Sequence, residues 1–155
     1  MKVLMLNGSC NPKGCTYTAL TEVGKTLTSA GIDYEIVQLG GGPVRDCIGC
    51  NQCSKNGCVF TDDGVNDFIA KARQADGFVF GTPVYYAHPS GRVLSFLDRV
   101  FYAGGSAFAG KPGAAVASAR RRFSDASASS MPPMIWLDTR KPRGVRCQRP
   151  SSSTA

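Results

Sequence analysis

A doubly wound α/β domain built on a parallel sheet is the fold this sequence predicts, and three observations predict it. Short apolar runs alternate with stretches of helical periodicity, giving the order βαβαβαβ. Phe78-Val79-Phe80 is continuously apolar, as expected of a strand buried on both faces of a parallel sheet. Turn-forming or aromatic loops follow the first and third runs, at the strand ends where such sheets bind ligands.

The elements follow in order. Lys2 to Leu6 is an apolar strand ended by the turn Asn7-Gly8-Ser9. From Thr16, Leu20, Val23, Leu27 and Ala30 recur at helical spacing until Gly31 stops the first helix. Tyr34 to Leu39 forms the second strand. Gly40 to Gly42 and Pro43 then break all periodicity, and residues 40–61 carry no helix or strand pattern. Loops beyond roughly 12–15 residues in a compact domain are usually functional or disordered. Asp62 and Asp63 predict the N-cap of a second helix bearing Val65, Phe68, Ile69 and Ala72. Gly77 to Gly81 is the third strand, and Thr82 to Tyr86 the loop after it. Ser90 caps a third helix whose apolar face is Val93, Phe96, Leu97, Val100 and Phe101, and Gly113 to Ala119 is the fourth strand. A strand order beginning 2-1-3-4 places the reversal between strands one and three.

The 155 residues fit one domain, with 43% hydrophobic residues for its core. Seven cysteines in a small secreted chain would suggest a disulfide framework. This one opens directly on KVLMLNG, without a cationic leader, so a cytoplasmic protein is expected. No apolar run approaches the roughly 20 residues of a membrane-spanning helix. The net charge of +7 is uneven: residues 1–119 hold 10 basic against 9 acidic side chains, and residues 120–155 hold 8 against 2. A nearly neutral body without a basic, aromatic-laced face argues against nucleic-acid binding.

Gly8 to Thr16 joins a buried strand to a helix start and is rich in Gly, Ser, Asn and Thr, so backbone amides and hydroxyls can converge on a phosphate. The helix dipole supplies part of the attraction, and Lys13 need not be the main partner. The segment has neither Walker spacing nor a GxGxxG fingerprint, which disfavours a nucleoside triphosphatase. An ordinary capped turn with Thr16 as cap is the plain alternative. Pro83, Val84, Tyr85 and Tyr86 could border a planar ligand, or be interface tyrosines. Together the two loops suggest a phosphorylated planar cofactor. Cys47, Cys50, Cys53 and Cys58 crowd into a single loop, a spacing that suits iron–sulfur ligation. Structural zinc usually separates its cysteine pairs by a dozen or more residues. Unligated thiols, or a non-enzymatic metal-binding or redox-sensing module, remain open on spacing alone. His88, the only histidine, is read as a solvated surface residue, with an approach to the ligand as the alternative.

NGSCNPKGCT, CIGCNQCSKNGCVFTDD and FGTPVYYAHPSGRVLSFLDR together resemble the NAD(P)H-dependent FMN reductase group of the flavodoxin-like fold, and its iron–sulfur flavoprotein branch in particular. The resemblance covers about residues 1–121. It implies that Ser9, Asn11, Gly14, Cys15 and Thr16 hold the FMN phosphate and that Pro83 to Tyr86 border the isoalloxazine ring. Ser118 and Arg120 match a third flavin-side loop. The four loop cysteines match the ligands of a four-iron four-sulfur cluster. The expected activity is transfer of electrons from NAD(P)H or a reduced partner, through FMN and the cluster, to a small-molecule or protein acceptor. The phosphate loop departs from the family at Cys10, Asn11 and Cys15, where Pro, Arg and Asn are more usual.

Residues 1–122 are read as the FMN-binding domain, with the cysteine-rich loop at 43–61, and residues 123–155 as a poorly ordered tail. That tail includes seven Ser and four Pro, and shows no clear period beyond Met134 to Leu137. Seven of the eight basic residues from 120 onward are Arg. Such a composition is what an out-of-frame reading of a GC-rich gene gives, so a frameshift near residue 121, with an inactive product, is one expectation. A genuine basic tail is the other. Either way the sheet is expected to lack the usual fifth βα unit, and a second copy of the chain could cover the exposed edge in a homo-oligomer.

Overall fold

The computed structural model describes residues 1–53, 57–86 and 88–119, and the backbone alone of 135–136. In chain order the elements are β1 (Lys2–Asn7), α1 (Cys15–Ser29), β2 (Asp33–Gln38), α2 (Val65–Arg73), β3 (Gly77–Tyr86), β4 (His88–Pro89), α3 (Gly91–Gly104) with a 3-10 turn at Gly105–Ala107, β5 (Gly113–Ala119) and β6 (Ile135–Trp136). The sheet order is β2-β1-β3-β5-β6. These strands all pair in parallel, and β4 folds back antiparallel on the end of β3.

Alternation within the strands explains why they read as continuous apolar runs. Leu4 and Leu6 of β1 and Phe78 and Phe80 of β3 share one face with α2 (Phe68, Ile69, Ala72) and α3 (Val93, Phe96, Val100). Met5, Val79 and Val116 point the opposite way, onto Leu20 and the half-buried Val23 and Leu27 of α1. Successive strand side chains face opposite sides, and a helix layer on each side makes the central positions of β1 and β3 apolar on both faces. Phe68 meets Phe96 edge-on, with ring centroids 5.4 Å apart.

Three details differ from the sequence expectations. Asp62 and Asp63 do not cap α2; Gly64, at φ +75°, occupies the N-cap, and Asp63 is drawn into a buried ion pair described below. Strand β3 continues through Thr82 to Tyr86, so Pro83 to Tyr86 are strand residues at a hairpin and not a free loop. β1 ends opposite Gly81, so Pro83 has no β1 residue to which it would have to donate, and on that flank its carbonyl accepts the Ser90 amide at 3.2 Å. The tail also supplies a fifth parallel strand, the two-residue β6, which pairs with Ala114 and Ala115. It lies within the short apolar stretch Met134 to Leu137.

Candidate functional site

Three strand ends meet where the sheet order reverses: those of β1, β3 and β5. The Gly8 amide donates to the Gly81 carbonyl oxygen at 2.8 Å, fixing the start of the β1 loop against β3. A Cβ at Gly8 would lie 2.1 Å from Val93 Cγ2 and 2.7 Å from that same carbonyl, so only glycine fits. Three side chains then each accept the amide two residues on: Asn7 from Ser9 (3.2 Å), Ser9 from Asn11 (3.1 Å) and Asn11 from Lys13 (3.1 Å). The loop is braced by its own residues. Fully buried Asn7 also donates to Gln38 Oε1 at 2.5 Å, and Gln38 Nε2 donates to the Ser9 carbonyl at 2.5 Å. Gln38→Leu leaves Asn7 Nδ2 without this acceptor and is expected to cost about 1–3 kcal/mol, read from the urea midpoint at unchanged m.

The donor set here fits a phosphate. Gly14 stands at the N-cap of α1 and no side chain caps the helix, so the positive helix end faces the loop unshielded. Thr16 is therefore not the cap. It lies buried in the first turn, with its hydroxyl 2.7 Å from that of Ser118 at the end of β5. One of these two hydroxyls donates to the other, which leaves one proton of the pair for a ligand. Ser9 accepts through its oxygen and likewise retains its proton to donate. Asn11, Lys13 and Cys15 are exposed along the loop and the helix start. Arg120 lies outside the described residues.

At the rim, Tyr85 is 70% and Tyr86 84% exposed, while Pro83 is buried and Val84 half-buried. The Cys10 thiol lies 3.7 Å from the Tyr85 hydroxyl. That hydrogen bond, followed by partial desolvation, holds the Tyr85 phenol above its ordinary pKa. His88 is exposed, with Nδ1 2.6 Å from the Pro89 carbonyl oxygen.

The four loop cysteines line one concavity together with Phe60, Arg99 and Tyr102. Although Cys53 is exposed, desolvation and then the neighbouring Cys58, Cys50 and Cys47 thiols push its pKa up. Among the described residues, no group of three or more His, Cys, Asp or Glu is placed so that it could hold a metal ion. Cys58 is held most firmly. Its amide donates to Asn66 Oδ1 and its carbonyl accepts from Asn66 Nδ2, both at 2.8 Å, and Asn66 Nδ2 also reaches the Phe60 carbonyl at 3.2 Å. The Asn66 side chain thus stands in for a neighbouring strand. A side chain on Gly57, at φ +104°, would collide with it. Asn66→Ala is expected to cost about 1–3 kcal/mol, because it strips partners from three backbone groups at once; thermal unfolding checks it.

Arg99 is the largest fully buried side chain, at 1% exposure. Its Nε donates to Cys58 Sγ at 3.3 Å, Nη1 to the Arg45 carbonyl at 3.2 Å, and Nη2 to the Phe60 carbonyl at 3.3 Å. Asp63 accepts from both Nη1 and Nη2, the latter at 3.1 Å. Burial opposes the Arg99 charge, but the bonds to Asp63 and Cys58 outweigh it and raise the pKa above the ordinary guanidinium value. Beside the cysteine loop, past the end of β2, runs a cleft lined by Gln38, Gly42, Arg45, Asp62 and Asp63. Arg92 of α3 donates to the Gly42 carbonyl at 2.5 Å beside it. The sequence reading missed Asn7, Gln38, Asn66, Arg92 and Arg99 as site residues. For Arg99 a signal existed: a charge within the apolar stripe Phe96, Val100 of α3.

The sequence matches the family model described as NADPH-dependent FMN reductase over residues 1–144, which runs past Arg122, where the composition changes. It is 35% identical over 100 residues to an iron-sulfur flavoprotein of Methanocaldococcus jannaschii, covering 64% of this chain and 51% of that protein. It is 33% identical over 99 residues to an iron-sulfur flavoprotein of Archaeoglobus fulgidus, covering 64% and 48%. The chain thus spans about half the length of the curated relatives it matches. Its structure is similar to an NAD(P)H:quinone oxidoreductase from Methanothermobacter marburgensis (TM-score 0.59, 19% identity, 77% of this chain and 65% of that one). A flavodoxin from the domain Archaea gives a TM-score of 0.54 at 13% identity, over 89% and 79%. These structural likenesses show a flavodoxin-like fold and no more.

Proposed function

This chain belongs to the NADPH-dependent FMN reductase family, and from that premise we propose an oxidoreductase that binds FMN at the β1, β3 and β5 strand ends and takes electrons from NAD(P)H. The observation that carries the reading is the meeting of an uncapped helix N-terminus, the Ser9 hydroxyl and the Thr16–Ser118 hydroxyl pair at one switch point. When bound, FMN supplies two-electron uptake as hydride and one-electron release. The first turn of α1, Ser9 and the hydroxyl pair hold the phosphate. Asn7 and Gln38 keep the loop in register, and Tyr85 and Tyr86 border the ring. Arg120 is proposed with Ser118 on the same side.

The finer reading assigns Cys47, Cys50, Cys53 and Cys58 as ligands of a four-iron four-sulfur cluster. In support, the four line one concavity, and two matched relatives are named iron-sulfur flavoproteins. A cluster there supplies one-electron relay. A reducing, cytoplasmic setting keeps such thiolates available, and a second copy of the chain is proposed to cover the β5 side of the sheet. Among the described residues no helix is long and apolar enough to cross a membrane.

Anaerobically purified protein is expected to be yellow-brown, with flavin absorbance bleached by NADPH and about four iron and four sulfide per chain. A colourless protein that takes up no added FMN overturns the reading. Flavin without iron overturns the cluster alone.

A further inference from the structure

The Arg99 guanidinium touches the cysteine loop on both sides of its ligand set: at Arg45, two residues before Cys47, and at Phe60 and Asp63, just after Cys58. It also donates directly to the Cys58 sulfur. Asn66 meanwhile fixes the Cys58 backbone at both its amide and its carbonyl. One sulfur of the four is therefore set in place by two side chains from two helices, before any ligand enters.

We propose that Arg99 is the positioning residue of the cysteine centre: it holds Cys58 as the pre-set ligand and raises the reduction potential of the cluster bound there. This rests on the cluster reading above. Hydrogen bonds to ligating sulfurs and nearby charge are among the terms that set a cluster's potential. An N–H directed at a thiolate, backed by a positive charge, favours the more negative, reduced state. Lysine at 99 keeps a charge but lacks the planar fork that reaches Asp63, Cys58 and two carbonyls together. The Asp63 carboxylate, 3% exposed and paired with the guanidinium, keeps that fork oriented.

The test compares full-length wild type with Arg99→Lys and with the double variant Arg99→Met/Asp63→Leu, which removes both buried charges together and so keeps a fold in which to read the loss of the donor. In metal-free protein, amide exchange of residues 46–60 is expected to be at least about tenfold faster in both variants, the signature of a loop released from its anchor. After anaerobic reconstitution with iron and sulfide, both variants are expected to show a lower cluster midpoint potential and an altered visible spectrum. Unchanged exchange overturns the inference whether or not iron binds. Faster exchange with an unchanged potential overturns it too, since a merely structural anchor would do that much. If the wild type takes up no iron, the cluster reading fails and takes the tuning role with it, while faster exchange in the variants still supports the positioning of Cys58.

Discussion

Asp63→Ala is expected to destabilise the protein by about 3–5 kcal/mol, the penalty for leaving one member of a buried ion pair without its partner. Arg99 and Asp63 are 1% and 3% exposed, so solvent cannot take over the role of the missing carboxylate. Denaturant unfolding checks this, with the change expected in the midpoint and not in the slope. Arg99→Met/Asp63→Leu gives the contrasting result: with both charges gone and comparable volume retained, stability is expected to be near or above that of the wild type. If the single and double variants lose the same amount, the ion pair is not the cause. The pair is thus a weak source of net stability. Its geometric effect is to join α3 to the segment entering α2, with the cysteine loop held between them.

Gly8→Ala is expected to produce the second large effect. The added methyl would sit 2.1 Å from a Val93 methyl and 2.7 Å from the Gly81 carbonyl oxygen, and at least one of these contacts is with backbone that cannot rotate away. Relief requires β1, β3 and the start of α3 to part, which costs about 1–3 kcal/mol as overpacking does elsewhere. Since that seam also sets the proposed phosphate loop, FMN affinity is expected to fall about five- to 150-fold, the same range converted to a dissociation constant. Calorimetry and flavin titration measure the two effects separately. Gly91→Ala is the control: nothing lies within 4 Å of its Cβ position, and a change within about 0.5 kcal/mol is expected.

The elements that could be read from the sequence are those whose periodicity tertiary contacts do not override. Gly113 to Ala119 matches β5 at both ends, and the apolar stripes of α1 and α3 face the core as expected. Where a residue had two local uses, the sequence could not choose. Asp63 is a good N-cap by type, yet a guanidinium 36 positions along the chain claims it. Thr16 is another candidate cap whose hydroxyl is taken by Ser118, 102 positions away. Gln38 carries no local signal, because its partners Asn7 and Ser9 are brought near only by the sheet, and Asn66 carries none because it bonds backbone of the irregular loop before its own helix. For Pro83 to Tyr86 the turn signals outweighed strand propensity, although the strand merely outlasts its neighbour there. The loop cysteines were visible by composition, but what steadies them was not.

The Thr16–Ser118 hydroxyl bond carries a kinetic and thermodynamic consequence. It joins the first helix to the strand that pairs latest along the described chain, apart from the two residues of β6. Parallel pairing across such sequence separations is slow to form, because loop closure must precede any gain. The proposed phosphate site is therefore incomplete until β5 has docked, and by mass action a ligand held there would draw β5 into place. The small side chains of Gly113 to Ala119 bury little by themselves. Cofactor saturation is thus expected to slow amide exchange in β5 more than in β1, making occupancy a measure of how completely the sheet has closed.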